Sequence, residues 1–159
     1  MAISVRPAEA ADLDQLRAKQ ARPELGLVDK HFEAQEDGTL IYAVAFEDGE
    51  PLGTAILDLS EGQMMPELRN MYVYPEARRR GAGRALTTYI EELARQAGHS
   101  AVYLAVDPNN AKAVPLYVSL EYYPTGEHLF VEAPEIDQVD DGQQASTHYA
   151  IYKKSLTAR

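Results

Sequence analysis

The sequence predicts a mixed α/β fold, an α+β arrangement in which helices cover a largely continuous sheet. Three observations carry that expectation. β-rich runs at Leu40 to Phe46 and Leu52 to Leu59 flank the polar stretch EDGEP, whose Asp-Gly pair is a hairpin signal. From Gly83 onward, Leu86, Tyr89, Ile90 and Leu93 recur at three- and four-residue spacing, one face of an amphipathic helix. SAVYLAV, just beyond that helix, is apolar at almost every position, as in a strand covered on both faces.

The elements follow in order. ISVRPA, Ile3 to Ala8, alternates apolar and polar residues like a short strand. AADLDQLRAKQA reads as a helix through Leu13 and Leu16, with Asp12 near its start, interrupted by Pro23 and Gly26. LVDKHFEAQED forms a short second helix through Val28, His31, Phe32 and Gln35, ended by Gly38. After the hairpin, SEGQMMP leads into the strand ELRNMYVYP, which Pro75 closes. Gly98 is the stop of the long helix that begins at Gly83. DPNNAKAVPLYVSLEY is a turn or cap followed by a short helix, which Pro115 requires either to begin late or to kink. YYPTGEHLFV and STHYAIYKKSL are the last two strands, and the acidic EAPEIDQVDDGQQ between them is an exposed excursion.

With 159 residues, of which 45% are hydrophobic and 25% charged, the chain suits one domain spanning 1–159. It contains no cysteine, which excludes disulfides, thiolate catalysis and cysteine-ligated metals. Its four histidines have no metal-ligand spacing, so no metal site is expected. No basic segment followed by an apolar run opens the chain, and no apolar stretch approaches the roughly 20 residues that span a bilayer. The expected setting is cytoplasmic, as a monomer or homodimer. Fifteen Lys and Arg against 25 Asp and Glu give a formal charge of -10, which disfavours nucleic acid and anionic membranes and favours a cationic partner. The acidic segment Glu132 to Asp141 adds to that steering.

Against this background, YVYPEARRRGAGRALTTYI stands out. Gly81 and Gly83 bracket Ala82 directly ahead of a helical pattern. The first turn of a helix presents unpaired N–H groups and a partial positive charge. Glycines let a ligand approach those amides, and Arg78, Arg79, Arg80 and Arg84 add charge-assisted donors suited to a diphosphate. A Walker loop would need Lys followed by Ser or Thr, and a dinucleotide fingerprint would need three spaced glycines. The alternative is a glycine-assisted helix start flanked by solvated arginines.

RRRGAG resembles the acyl-CoA-binding signature of the GNAT-type N-acetyltransferase superfamily, Arg/Gln-x-x-Gly-x-Gly/Ala, with Arg78, Gly81 and Gly83 at its defined positions. NAKAVPLYVSLEY is similar to that family's Asn-x-x-Ala-x-x-Leu-Tyr segment through Asn110, Ala113, Leu116 and Tyr117. The resemblance implies the GNAT-like acyl-CoA N-acyltransferase fold, a splayed, twisted mixed sheet flanked by helices. It implies that acetyl-CoA (coenzyme A) lies between the fourth and fifth strands. The amides of Arg79, Arg80, Gly81, Ala82, Gly83 and Arg84 would cradle its pyrophosphate. Backbone groups of Met71, Tyr72 and Val73 would pair with its pantetheine arm, and Asn110 would contact that arm near Ala113. One departure stands out. Relatives carry a Gly-Phe pair where this chain reads Leu120-Glu121-Tyr122, so the family's tight turn is expected to be missing.

The implied reaction is transfer of an acetyl group to a primary amine, on a small metabolite, an antibiotic or a peptide. The alternative is a non-catalytic acyl-CoA-binding or sensor domain. Transfer requires a neutral amine and a proton for the departing thiolate. Tyr117, protonated at neutral pH, is the candidate general acid, placed beside the sulfur by the resemblance. Glu67, at the start of a strand, is the candidate base if burial raises its proton affinity. Asp58, Glu61 and Tyr72 are weaker alternatives. Met64 and Met65 read as an apolar rim.

Overall fold

Asp48 and Gly49 both adopt left-handed backbone angles, φ 52° and 79°, as a two-residue hairpin that follows strand twist requires. They join β2 (Leu40–Glu47) to β3 (Glu50–Asp58), paired from Glu47↔Glu50 back to Leu40↔Asp58. The computed structural model of the chain describes residues 2–62, 64–107, 113–130 and 148–157. Around the hairpin, β1 (Ser4–Pro7), β4 (Glu67–Val73), β5 (Ala101–Val106), β6 (Tyr123–Phe130) and β7 (His148–Ser155) complete one mixed sheet. Its order is β1-β2-β3-β4-β5-β7-β6, antiparallel except between β4 and β5.

Alternation along β2 divides the core in two. Tyr42, Val44 and Phe46 turn to one face, where Leu16 of α1 (Leu13–Lys19) and Val28 of α2 (Leu27–Glu36) pack on them. Ala43 and Ala45 turn to the other, under Leu86, Ile90 and Ala94 of α3 (Ala82–Gln96). The small residues of β2 let the long helix lie close to the sheet, and Leu57, Leu68, Val102 and Leu104 continue the same apolar surface. The short second helix, the hairpin and the order of elements along the chain expected from the sequence are all present. No described helix is long and apolar enough to cross a membrane. The acidic segment 132–141 and Asn110 lie outside the described residues.

α4 (Ala113–Ser119) has Pro115 as its third residue. The turn that follows it corrects the sequence expectation. Tyr122 N–H donates to Tyr117 O at 3.0 Å, and Glu121 N–H to Val118 O at 3.0 Å. Glu121 sits in the left-handed region at φ 76°. These are the paired bonds of a Schellman helix stop, and the rings of Tyr117 and Tyr122, 5.8 Å apart edge to face, supply its apolar contact. The turn expected to be missing is therefore formed, with a glutamate in the conformation that glycine adopts without strain. Glu121→Gly is expected to stabilise the protein by about 0.5–1 kcal/mol, the left-handed strain outweighing the added freedom of the unfolded chain. An unchanged or lower Tm would refute that strain.

Candidate active site

β4 and β5 run parallel yet share one pairing, Glu67↔Tyr103, reinforced by Tyr103 N–H donating to Pro66 O at 3.0 Å. Beyond it the described strands part, and β4 stays with β3. A bulge lies where they separate: Thr54 pairs with Tyr72 but Ile56 with Arg69, so β4 carries an extra residue there. Asn70 takes φ 52° at that point, a conformation asparagine tolerates better than most residues. Its amide meets His31 Nε2 of α2 at 3.3 Å, and His31 is buried against the ring of Tyr42. Gly53 supports the other side of β4. A Cβ there would stand 2.6 Å from Tyr72 O and 2.9 Å from Val73 Cα, so glycine is required.

From the open end of β4 the chain passes through a short helical turn, Pro75–Ala77, into the arginine-rich segment. Gly81, at φ 93°, is the N-cap of α3 and provides no side-chain cap. The first-turn amides are thus left to a ligand, at the positive end of a 15-residue helix. The arginines frame the turn. Arg78 Nε donates to Val73 O at 3.1 Å, Arg80 bonds Glu47 Oε1 at 3.2 Å, and Arg84 bonds Ser119 Oγ at 3.3 Å, tying α3 to α4. Arg79 takes φ 69°. A Cβ on Gly83 would point at Leu116 Cδ2 (3.6 Å), Val73 Cγ2 (3.8 Å) and Met71 Cε (3.9 Å). Gly83, Met71, Val73 and Leu116, far apart in sequence, thus lie beside one another. Ala113, at the start of α4, packs against the core.

Tyr117, 8% exposed, has a hydroxyl whose proton affinity burial raises well above the usual tyrosine range. Its neighbour Tyr122 is anchored: the hydroxyl donates to Glu91 Oε2 at 2.9 Å, and Lys154 Nζ bonds Glu91 Oε1 at 3.0 Å. Burial, then the charge of Glu91 and the bond to it, keep Tyr122 protonated. This buried network was not foreseen, although Glu91 lies four residues beyond Thr87 and three before Ala94, both on the buried face of α3.

Glu67 stands at the closed end of the gap, six residues from Val73, roughly 20 Å along the strand. Burial pushes its carboxyl up to about 7, with the charge of Arg69 pulling down and that of Asp58 pushing up. Asp58, its partner on β3, behaves oppositely. Burial works to raise it, but hydrogen bonds from Ser60 and from Arg69 (Nε to Oδ2, 2.9 Å) outweigh that and hold it low. Of the weaker alternatives, Asp58 is thus committed to an ion pair, Glu61 is exposed, and Tyr72 is buried edge-on to Tyr74. Met65 is exposed and Met64 partly so.

The Acetyltransferase (GNAT) family matches residues 8–122 of this sequence. No curated protein sequence matches it. An N-acetyltransferase from Staphylococcus aureus Mu50 superposes with a TM-score of 0.75 at 18% identity, covering 99% of this chain and 100% of the other. The ribosomal-protein-S18-alanine N-acetyltransferase of Escherichia coli gives 0.69 at 19% identity, over 99% and 96% of the two chains. The PaiA N-acetyltransferase of Thermoplasma acidophilum, solved in complex with coenzyme A, gives 0.69 at 17% identity, over 98% and 99%.

Proposed function

The chain belongs to the acetyltransferase (GNAT) family, and from that premise we propose that it is an N-acetyltransferase that moves an acetyl group from acetyl-CoA to a primary amine by direct attack on the thioester. The observation that carries this reading is the parting of β4 and β5 between a carboxyl group set near pH 7 and an uncapped helix N-terminus. The residues present fit the cofactor. Gly81 leaves the first-turn amides of α3 open to a diphosphate, and Arg78, Arg79, Arg80 and Arg84 surround them. Met71, Tyr72 and Val73 line the edge of β4 that β5 has left, and Asn110 stands just before α4 in sequence. Acetyl-CoA, when bound, supplies an activated thioester.

Glu67 takes a proton from the incoming ammonium or its relay water, so the amine nitrogen is free to bond the acetyl carbon. As the C–N bond forms and the C–S bond breaks, Tyr117 would give its hydroxyl proton to the leaving sulfur, and the second proton of the amine nitrogen, shed as the amide forms, would restore the tyrosine. Tyr117 suits the acid role because burial keeps it protonated across the working range. Glu67 suits the base role because near pH 7 a large fraction is ionised yet still basic enough to accept a proton. The acidic surface charge, -10 overall, draws a cationic amine toward the gap.

Incubation with acetyl-CoA and a panel of amines, following free thiol, tests the proposal. Amine-dependent thiol release is expected. Tight coenzyme A binding with no release across the panel would instead assign a non-catalytic acyl-CoA-binding or sensor role. The cleft itself is tested by Gly83→Phe, whose ring would fill the space between Val73, Met71 and Leu116. The dissociation constant for coenzyme A is expected to rise about tenfold or more, read by calorimetric titration. An unchanged constant in a folded variant would refute the cradle.

A further inference from the structure

Glu91 is a buried carboxylate on the face of α3 that packs against the sheet. Both of its oxygens are used. Oε1 accepts from Lys154 Nζ of β7 at 3.0 Å, and Oε2 accepts from the Tyr122 hydroxyl at 2.9 Å. Lys154 Nζ also lies 5.8 Å from the centre of the Tyr122 ring. Tyr122 follows α4, so one carboxylate fastens the chain after α4 to the long helix and to the sheet at once. A buried ion pair is weak evidence for stability, so this one is better judged by what it holds in place.

What Tyr122 holds is Tyr117. Its N–H donates to Tyr117 O at 3.0 Å, and the two rings meet edge to face at 5.8 Å. The two hydroxyls differ. That of Tyr122 is donated to Glu91, whereas burial alone, with no hydrogen bond, acts on that of Tyr117. The direction of the Tyr117 hydroxyl is therefore set by how its ring is packed, and the Tyr122 ring is one wall of that packing. α4 has a second tie to α3, from Arg84 to Ser119 Oγ at 3.3 Å, but that bond is exposed. The bond between Tyr122 and Glu91 is buried. It links the segment carrying Tyr117 to the helix whose first turn carries Gly83.

We propose that Glu91 and Tyr122 are positioning residues for Tyr117. Glu91 fixes the Tyr122 ring, and that ring holds the Tyr117 hydroxyl in the direction of the leaving sulfur. Lys154 takes the other carboxylate oxygen, so the charge of Glu91 is paired inside the protein. This rests on the acetyl-transfer reading with Tyr117 as its acid. Both residues act through Tyr117, and neither gives or takes a proton in the transfer.

Tyr122→Phe keeps the ring and removes its bond to Glu91. Its kcat for amine-dependent thiol release is expected to fall about tenfold, with KM for acetyl-CoA changed by less than about twofold, because a freed ring misdirects the acid without closing the cleft. The same substitution is then made in Tyr117→Phe, where no acid remains to be misdirected. There it is expected to change kcat by less than about twofold, so the two losses do not multiply. Glu91→Leu, made in both backgrounds, is expected to repeat that pattern, and Tyr122→Phe carries the test alone if the leucine variant does not fold. A residue that merely stabilised the fold would lower kcat or raise KM alike in both backgrounds. An equal loss in both, a change confined to KM, or an unchanged kcat in Tyr122→Phe would each overturn the proposal. An undiminished kcat in Tyr117→Phe, with thiol release intact, would instead remove the acid reading, and this inference with it.

Discussion

Glu67→Gln is expected to lose roughly two orders of magnitude in kcat/KM at pH 8, the usual worth of a positioned general base. The pH dependence makes the assignment specific. With an acceptor that arrives as its ammonium and gives its proton to Glu67, the wild-type profile of log kcat/KM should climb with slope one below about pH 7, where Glu67 must lose its proton, and level off above it. The glutamine variant depends on the small fraction of free amine and should climb with slope one throughout, so its deficit is largest below pH 7 and shrinks above it. A variant that retains the bend near pH 7 would remove Glu67 as the base.

The same residue makes an opposite contribution to stability. Its folded value, about 7, lies above the ordinary 4.5 because burial favours the neutral acid. The stability associated with that neutral form is full below pH 4.5 and is lost as pH rises through 7. Glutamine keeps the shape without the charge. Above pH 7 the variant should therefore be more stable than the wild type, on the order of 2–3 kcal/mol, and the difference should vanish near pH 4. Thermal denaturation at pH 5 and pH 8 measures it. A catalytic carboxylate held in a desolvated position is a familiar exchange of stability for activity.

Tyr117→Phe is expected to lower kcat about a hundredfold while leaving coenzyme A affinity nearly unchanged. Phenylalanine retains the ring that packs edge-on against Tyr122 and closes the turn after α4, so the cleft keeps its shape. Only the proton donor is lost. Because burial raises the tyrosine, the wild-type rate should show no alkaline fall from this group in the range below pH 10. A large loss of cofactor binding, or an unchanged kcat, would each contradict the acid assignment. Tyr122 does not substitute, since its hydroxyl is already donated to Glu91.

Much of the fold was legible because its determinants are local. Asp48-Gly49 specifies a hairpin through backbone angles that few other pairs reach. The apolar period from Leu86 to Leu93 specifies a helix face, and Gly81 specifies a left-handed start to that helix. The glycine turn ahead of α3 was readable for the same reason, since it resides in consecutive residues. Turn reasoning failed at Glu121, where residue identity argued against a left-handed angle. The closing bonds to Tyr117 and Val118 and the Tyr117–Tyr122 contact impose it regardless.

What the sequence alone determined is the order of elements, the hairpin, the apolar face of the long helix and the glycine turn, all set by residues within a few positions of one another. The tertiary structure decided the rest. Glu67 acquires its proton affinity from burial between Asp58 and Arg69 at the last point where β4 and β5 touch. Glu91 joins Tyr122 across 31 positions and Lys154 across 63. Solvation and charge act through space, so these properties appear only when the folded chain brings distant residues together.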